Sequence, residues 1–389
     1  MNRKKWDVFF KYLFGGASLI SVLALGAILL FVFVQGASPF IRPTAPDIRV
    51  VTERISEITV NGTVYQDNSG FIPIPQNAEN VSMRFPGMSG ERILAFTVKP
   101  KEPPEFTEYA GGTVSNPEAY VYTIQYPGKI AGLDQKIHII LPEPPYSAFN
   151  FLLGLDWRPA YNKVYGILPM ILGTIMVSLG AIILGLPIAL LSSIFLAEFL
   201  AEKPAAVVRS CIEILAGIPS VVYGFFGLMV IVPQVKRIFQ TPSGNGMLSA
   251  SLVLAVMILP TVITIAETSL RAVPQSNREA SLSLGASRMQ TAWFAVLPHA
   301  HSGVIAGVIL GISRAVGETM AVILVAGNSS QILRSPLDSV RTLTATIALE
   351  MGYAQGRHSE MLFSIGVTLF ALILGLNGLI LRIRKQAEE

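Results

Sequence analysis

The sequence predicts an all-α membrane protein of about six transmembrane helices, one N-terminal helix plus a five-helix core, with a β-rich extracytoplasmic insertion. Three observations lead there. Apolar residues make up 51% of the 389 and charged residues 14%, where a soluble protein carries about 25% charged. Several stretches run about 20 residues or more without a charge, the length needed to cross a hydrocarbon core of roughly 30 Å. Basic residues gather beside alternate ends of those stretches, as they do at cytoplasmic loops. The net charge of +4 is small and spread out, which suits a membrane rim and excludes a nucleic-acid patch. Cys211 is the only cysteine, so the chain forms no intrachain disulfide and no cysteine-cluster metal site.

Residues 1–41 read as a cytoplasmic N-terminus and a first membrane helix. The basic start Arg3, Lys4, Lys5 leads into an uncharged run from Tyr12 to Val34, longer than the apolar core of a signal peptide, so the helix is expected to remain uncleaved. Residues 42–163 carry mixed charge and segments rich in β-branched and aromatic residues. Examples are Ile55 to Val60, Glu91 to Val98, Ala119 to Ile124 and Lys136 to Leu141, punctuated at Asn61-Gly62, Pro86-Gly87 and Pro127-Gly128. That pattern predicts strands. Residues 164–385 form the core. Spans are expected near 170–196, where Pro169 and Pro187 interrupt an over-long run, and near 214–233, 248–266, 303–326 and 361–381. With six alternating helices, twelve basic residues from Arg3 to Lys385 fall on one side, against Lys236, Arg237, Arg334, Arg341 and Arg357 in the short loops opposite, so both termini are expected in the cytoplasm.

Between the fourth and fifth spans, residues 274–301 read as two short helices joined by a turn. Ser276-x-x-Glu279 has capping-box spacing, Gly285 suits a left-handed helix stop, Ser287 can cap a second helix, and Pro298 is expected to end it. By local rules alone this is an ordinary helical hairpin.

The fifth span holds two charges, Arg314 and Glu318, one turn apart on one face of a continuous helix. A charge at that depth costs at least ~2.5–3.5 kcal/mol, so it must face protein or water. Gly303, Gly307 and Gly311 form a small-residue ridge for close helix packing. Both charges fall within about 60° of Gly311 around the helix axis. Two readings stand: an architectural ion pair, or a substrate pathway in which the arginine fork handles an anion's oxygens.

Several segments carry a resemblance. Glu279-Ala280-Ser281, then Gly285, then Leu297-Pro298 resembles the EAA motif of bacterial ATP-binding-cassette (ABC) importer permeases, with Ser281 for the second alanine and Ala295 for the isoleucine. Gly311-Ile-Ser-Arg-Ala-Val-Gly-Glu-Thr-Met-Ala-Val, Gly327-Asn328, Trp157-Arg-Pro, Tyr165-Gly-Ile-Leu-Pro, Gly173-Thr-Ile and Phe195-Leu-Ala-Glu198 resemble the phosphate transport permeases of the PstC type. The resemblance covers about residues 150–385. It implies a five-helix ABC permease core in a bacterial plasma (inner) membrane, importing inorganic phosphate by alternating access. It implies that Glu279, Ala280, Gly285, Leu297 and Pro298 dock a cytoplasmic ABC ATPase dimer. Further implied partners are a PstA-type permease and an extracytoplasmic phosphate-binding protein, beside membrane lipid. Arg314 and Glu318 would lie on the substrate pathway.

The chain has no Gly-x-x-x-x-Gly-Lys-Ser/Thr loop, so it is expected to hydrolyse no ATP itself; ATP and Mg belong on the partner ATPase, and no cofactor is expected here. His299 and His301 are two residues apart, on different helix faces, and predict no metal site. Permeases for sulfate or molybdate, and an ion-coupled secondary transporter, are the alternatives.

Overall fold

A computed structural model gives the architecture. It describes the backbone of residues 3–41, of strand segments between 47 and 140, and of 145–159 and 163–388; side chains are described for 14, 16–41, 145–159 and 163–382. Among the described residues, six helical segments are long and apolar enough to cross a membrane: Gly16–Ile41, Leu168–Phe199, Ser220–Phe239, Met247–Arg271, Arg288–Gly317 and Arg357–Arg382.

The helices are α1 (Arg3–Ile41), α2 (Ala148–Leu153), α3 (Leu168–Ile194), α4 (Glu202–Gly217), α5 (Ser220–Phe226), α6 (Val232–Phe239), α7 (Met247–Arg271), α8 (Gln275–Ser283), α9 (Arg288–Gln290), α10 (Leu297–Gly317), α11 (Met320–Val325), α12 (Leu343–Glu350) and α13 (Arg357–Glu388). The most buried span is α7. Glycines let its neighbours approach closely. A Cβ at Gly185 of α3 would stand 2.9 Å from the Ala255 carbonyl oxygen, and one at Gly311 of α10 would stand 2.7 Å from Val262. The first helix packs on the last through edge-to-face pairs Phe31–Phe363 at 5.6 Å and Phe33–Phe370 at 5.8 Å, and Ser364 donates to the Gly36 carbonyl at 2.8 Å.

The expected fold class needs one correction. Among residues with described side chains, strand is confined to Trp157–Arg158 and Val164–Tyr165, so the fold class is an all-α membrane protein and a β-rich insertion is not supported as part of it. Backbone strand segments pair antiparallel between Asp47 and Ile140. Paired strands define a domain only by burying a face, and the side chains that would do so lie outside the described residues. So do the expected turns at Asn61-Gly62 and Pro127-Gly128.

The third span starts later than expected. Residues 202–217 form the separate helix α4, and the chain turns at Ile218, whose ψ of 129° is extended. Pro219 follows it, and the residue before a proline is pushed out of the helical region. Other prolines pass inside helical segments: Pro187 lies within α3 and Pro260 within α7, so the expected interruption of the second span at Pro187 does not form. Pro233 and Pro298 each follow a π-helical turn, Gly227–Ile231 and Thr291–Val296, with one residue between. A proline lacks the N–H and crowds the carbonyl four residues back; the wider turn relieves both. Pro298 therefore does not end the second helix of the hairpin. That helix runs on into the fifth span, Arg288–Gly317.

Candidate functional site

The expected fifth span, 303–326, is discontinuous. α10 stops at Gly317, Glu318 is extended with ψ 134°, and α11 begins at Met320. A single helix from 303 to 326 is therefore not what forms. Gly317 weakens the helix there, and two polar residues follow it. The Glu318 carboxylate accepts from the Ala321 amide at 3.2 Å, capping the new helix, and the Glu318 carbonyl accepts from the Thr344 hydroxyl at 2.9 Å.

This break separates the two charges. Arg314 donates to Thr261 Oγ1 of α7 at 3.0 Å. Among the described residues no ion pair joins Arg314 to Glu318. The i, i+4 geometry that would pair them needs a continuous helix, and the chain leaves the helix at Glu318. Both residues remain half-buried. Thr261 lies ten residues from Arg271, about 15 Å along α7, and fourteen from Met247, about 21 Å. Arg314 thus sits near the middle of the bundle. Beside it, Ser313 donates to the Asn377 side-chain oxygen of α13 at 3.0 Å. Thr261, Ser313 and Asn377 are polar groups that no motif in the sequence marks.

The glycine ridge faces α7. A Cβ at Gly303 would collide with Ser269 Oγ, and one at Gly307 would lie 3.2 Å from Ile265. The ridge sets how closely α10 approaches the helix that holds Arg314.

The hairpin of residues 274–301 lies at the other end of α7. Its first helix, α8, starts at Gln275 after Pro274, with no side-chain cap, so Ser276 sits inside the first turn and its expected capping box with Glu279 does not form. Proline's fixed φ places the start one residue early. At the far end Gly285 has φ +85°; its amide donates to Leu282 O at 2.9 Å, and the Ala286 amide to Ser281 O at 3.3 Å. This is a Schellman stop. Ser287 and Gln290 form a reciprocal capping box on α9. Ser281 and Thr291 join the two arms, hydroxyl to hydroxyl, at 3.0 Å. Glu279, Ala280 and Gly285 are exposed, as is Pro298, and Leu297 is half-buried. The hairpin also presents Leu284 at 90% and Phe294 at 81% exposure.

Charged residues bind the hairpin end together. Glu267 of α7, 4% exposed, accepts from Arg209 Nε at 2.7 Å and Arg271 Nε at 2.9 Å. Both arginines also reach Glu202, at 3.0 and 2.9 Å. The hydrogen bond from Arg209, then that from Arg271, holds the Glu202 carboxyl down at about 2, and Arg209 is raised in turn by Glu202 and Glu267. A cavity of about 290 Å³ opens beside this cluster. At the opposite end the buried Glu350 accepts from Trp157 Nε1 at 2.9 Å and Arg341 at 2.8 Å, with His358 Nε2 also 2.8 Å away. These polar clusters join residues far apart in sequence, and nothing local announced them.

Six spans among the described residues, with Arg314 near the middle of the bundle and a break in the chain just beyond it, suit a multi-pass membrane transporter. The chain belongs to the family of binding-protein-dependent transport system inner membrane components, which matches residues 185–386. It is 37% identical over 229 residues to a probable ABC transporter permease protein, YqgH, of Bacillus subtilis, covering 58% of this chain and 74% of that one. It is 36% identical over 240 residues to the phosphate transport system permease protein PstC of Xylella fastidiosa, covering 57% and 74%. With PstC of Pasteurella multocida it shares 34% over 261 residues, covering 61% and 81%. The chain is a permease subunit of an ABC importer, similar to the PstC type.

Proposed function

We propose that this permease imports inorganic phosphate. The observation that carries the reading is Arg314, a guanidinium near mid-depth held by one hydroxyl and paired with no carboxylate among the described residues. Such a charge needs an anion or water as its counterpart, and the planar fork of donors suits phosphate oxygens. The PstC names of the relatives point the same way. Glu318, turned to the α11 amide, keeps a carboxylate near the path and opposes anion entry until the break rearranges.

In this reading the hairpin 274–301 is cytoplasmic, as are both termini, and Glu279, Ala280, Gly285, Leu297 and Pro298 lie on the face that meets an ABC ATPase dimer. ATP and Mg bind there, and hydrolysis occurs on those partner chains. A PstA-type permease completes the membrane pathway, and an extracytoplasmic phosphate-binding protein delivers the anion. ATP binding closes the ATPases, the hairpin carries the motion, and the spans open outward.

The test is uptake of labelled phosphate by the copurified complex in liposomes, with and without ATP, against competing sulfate and molybdate. ATP-dependent uptake displaced by unlabelled phosphate alone is expected. Displacement by sulfate or molybdate at equal concentration would move the assignment to another oxyanion, and uptake without an ATPase would overturn the importer mechanism.

A further inference from the structure

Arg278 stands on α8, next to Glu279, and its guanidinium ties together three elements. Its Nε lies 3.2 and 3.1 Å from the two Glu198 oxygens, and Nη2 lies 2.7 Å from Glu198 Oε1. Nη2 also donates to Leu270 O at 2.8 Å, and Nη1 donates to Val273 O. Leu270 is in the last turn of α7, whose outward carbonyls favour a cation. Glu198 lies in the π-helical turn Phe195–Phe199 that ends the second span. A carboxylate at a helix C-terminus is unfavourable without a cation, so the two groups need each other. Both side chains are largely buried, at 14% and 10% exposure.

We infer that Arg278 and Glu198 are the positioning residues that deliver movement of the hairpin to the intramembrane arginine, a role that rests on the coupling function proposed above. α7 is the route. Leu270, gripped by Arg278, is nine residues from Thr261, about 13–14 Å along one helix, and Thr261 holds Arg314. The same guanidinium holds the end of the second span, which lies close along α7 where Gly180 meets Ser251 and Gly185 meets Ala255. A bidentate pair with two further carbonyl bonds fixes direction as well as distance. The hairpin therefore cannot shift without moving both spans or breaking the clamp.

The experiment measures phosphate taken up per ATP hydrolysed by the purified complex in liposomes, in the parent and in Arg278→Lys, Arg278→Gln and Glu198→Gln. A packing role alone would reduce the amount of assembled complex and leave the ratio of the survivors unchanged. The clamp predicts assembled complexes that still hydrolyse ATP while uptake per ATP falls roughly 2- to 30-fold, the range of coupling changes from single residues. Arg278→Lys keeps the charge and loses the fork, so its ratio falls too. Glu198→Gln keeps the shape of the turn and serves if the arginine variants fail to assemble. A parent-like ratio in Glu198→Gln, or in an assembled arginine variant, overturns the clamp. A parent complex that shows no ATP-driven uptake overturns the functional reading instead.

Discussion

Thr261→Val removes one hydroxyl and keeps the shape of the side chain. Thr261 Oγ1 is the acceptor described for Arg314, at 3.0 Å. The flanking contacts between α7 and α10, Val262 against Gly311 and Ile265 against Gly307, do not involve that hydroxyl, so the helices should stay in register. Hydrogen bonds between membrane helices contribute about 0.6–1.7 kcal/mol, and 1.4 kcal/mol is tenfold in an equilibrium. The productive placement of Arg314 should therefore fall roughly 3- to 20-fold in population. Phosphate uptake per assembled complex should drop by that factor, while complex yield stays near the parent's. Thr261→Ser restores the hydroxyl and should recover most of the loss. Parent-like uptake by Thr261→Val would refute the claim that α7 positions the arginine.

Gly285→Val should weaken ATPase recruitment roughly 5- to 30-fold, through backbone strain of about 1–2 kcal/mol at φ +85°. No atom lies within 4 Å of a Cβ built there, so Gly285→Asn, which tolerates that conformation, should retain recruitment in a pull-down; equal loss in both variants would point to side-chain contact instead. Glu350→Ala leaves Arg341 Nη1 and the Trp157 indole without their described acceptor, while Arg341 Nε keeps the Asn328 carbonyl, and unfolding of the detergent-solubilised protein should show a loss of about 3–5 kcal/mol. Glu202 tests electrostatics. Its folded pKa of about 2 lies below the ordinary 4.5, so its contribution is present above pH 4.5 and lost as pH falls towards 2. The difference in Tm between the parent and Glu202→Gln should be constant from pH 7 to 5 and shrink below 4.5; a difference growing with acidity would contradict the pairing with Arg209 and Arg271.

The spans were legible because a bilayer demands long uncharged runs, and these can be counted. Gly285 and Ser287 were legible because positive φ and a capping hydroxyl are local requirements. The misreadings share a cause. Ser276-x-x-Glu279 had the right spacing, but Pro274 placed the helix start elsewhere. Pro298 read as a stop because a π-helical turn that accommodates it leaves no mark in the sequence. Arg314 and Glu318 had ion-pair spacing only if the helix continued. Gly317, followed by Glu318-Thr319 in an apolar run, was the available signal of a break. Arg278 and Glu198 are eighty positions apart, and their pairing follows from how the second span packs on α7, which periodicity does not encode. Period-two segments between 42 and 163 suggested a domain, but a strand pattern does not establish a buried face.

In the proposed mechanism Arg314 meets the transported anion. Because it is not paired with Glu318, Arg314→Gln leaves no stranded carboxylate partner, and the fold should tolerate it. The decisive measurement is ATP-driven phosphate uptake by the reconstituted complex carrying Arg314→Gln, normalised to assembled complex. Uptake at background with assembly and ATP hydrolysis retained is expected; uptake near the parent's would show that Arg314 does not meet the anion.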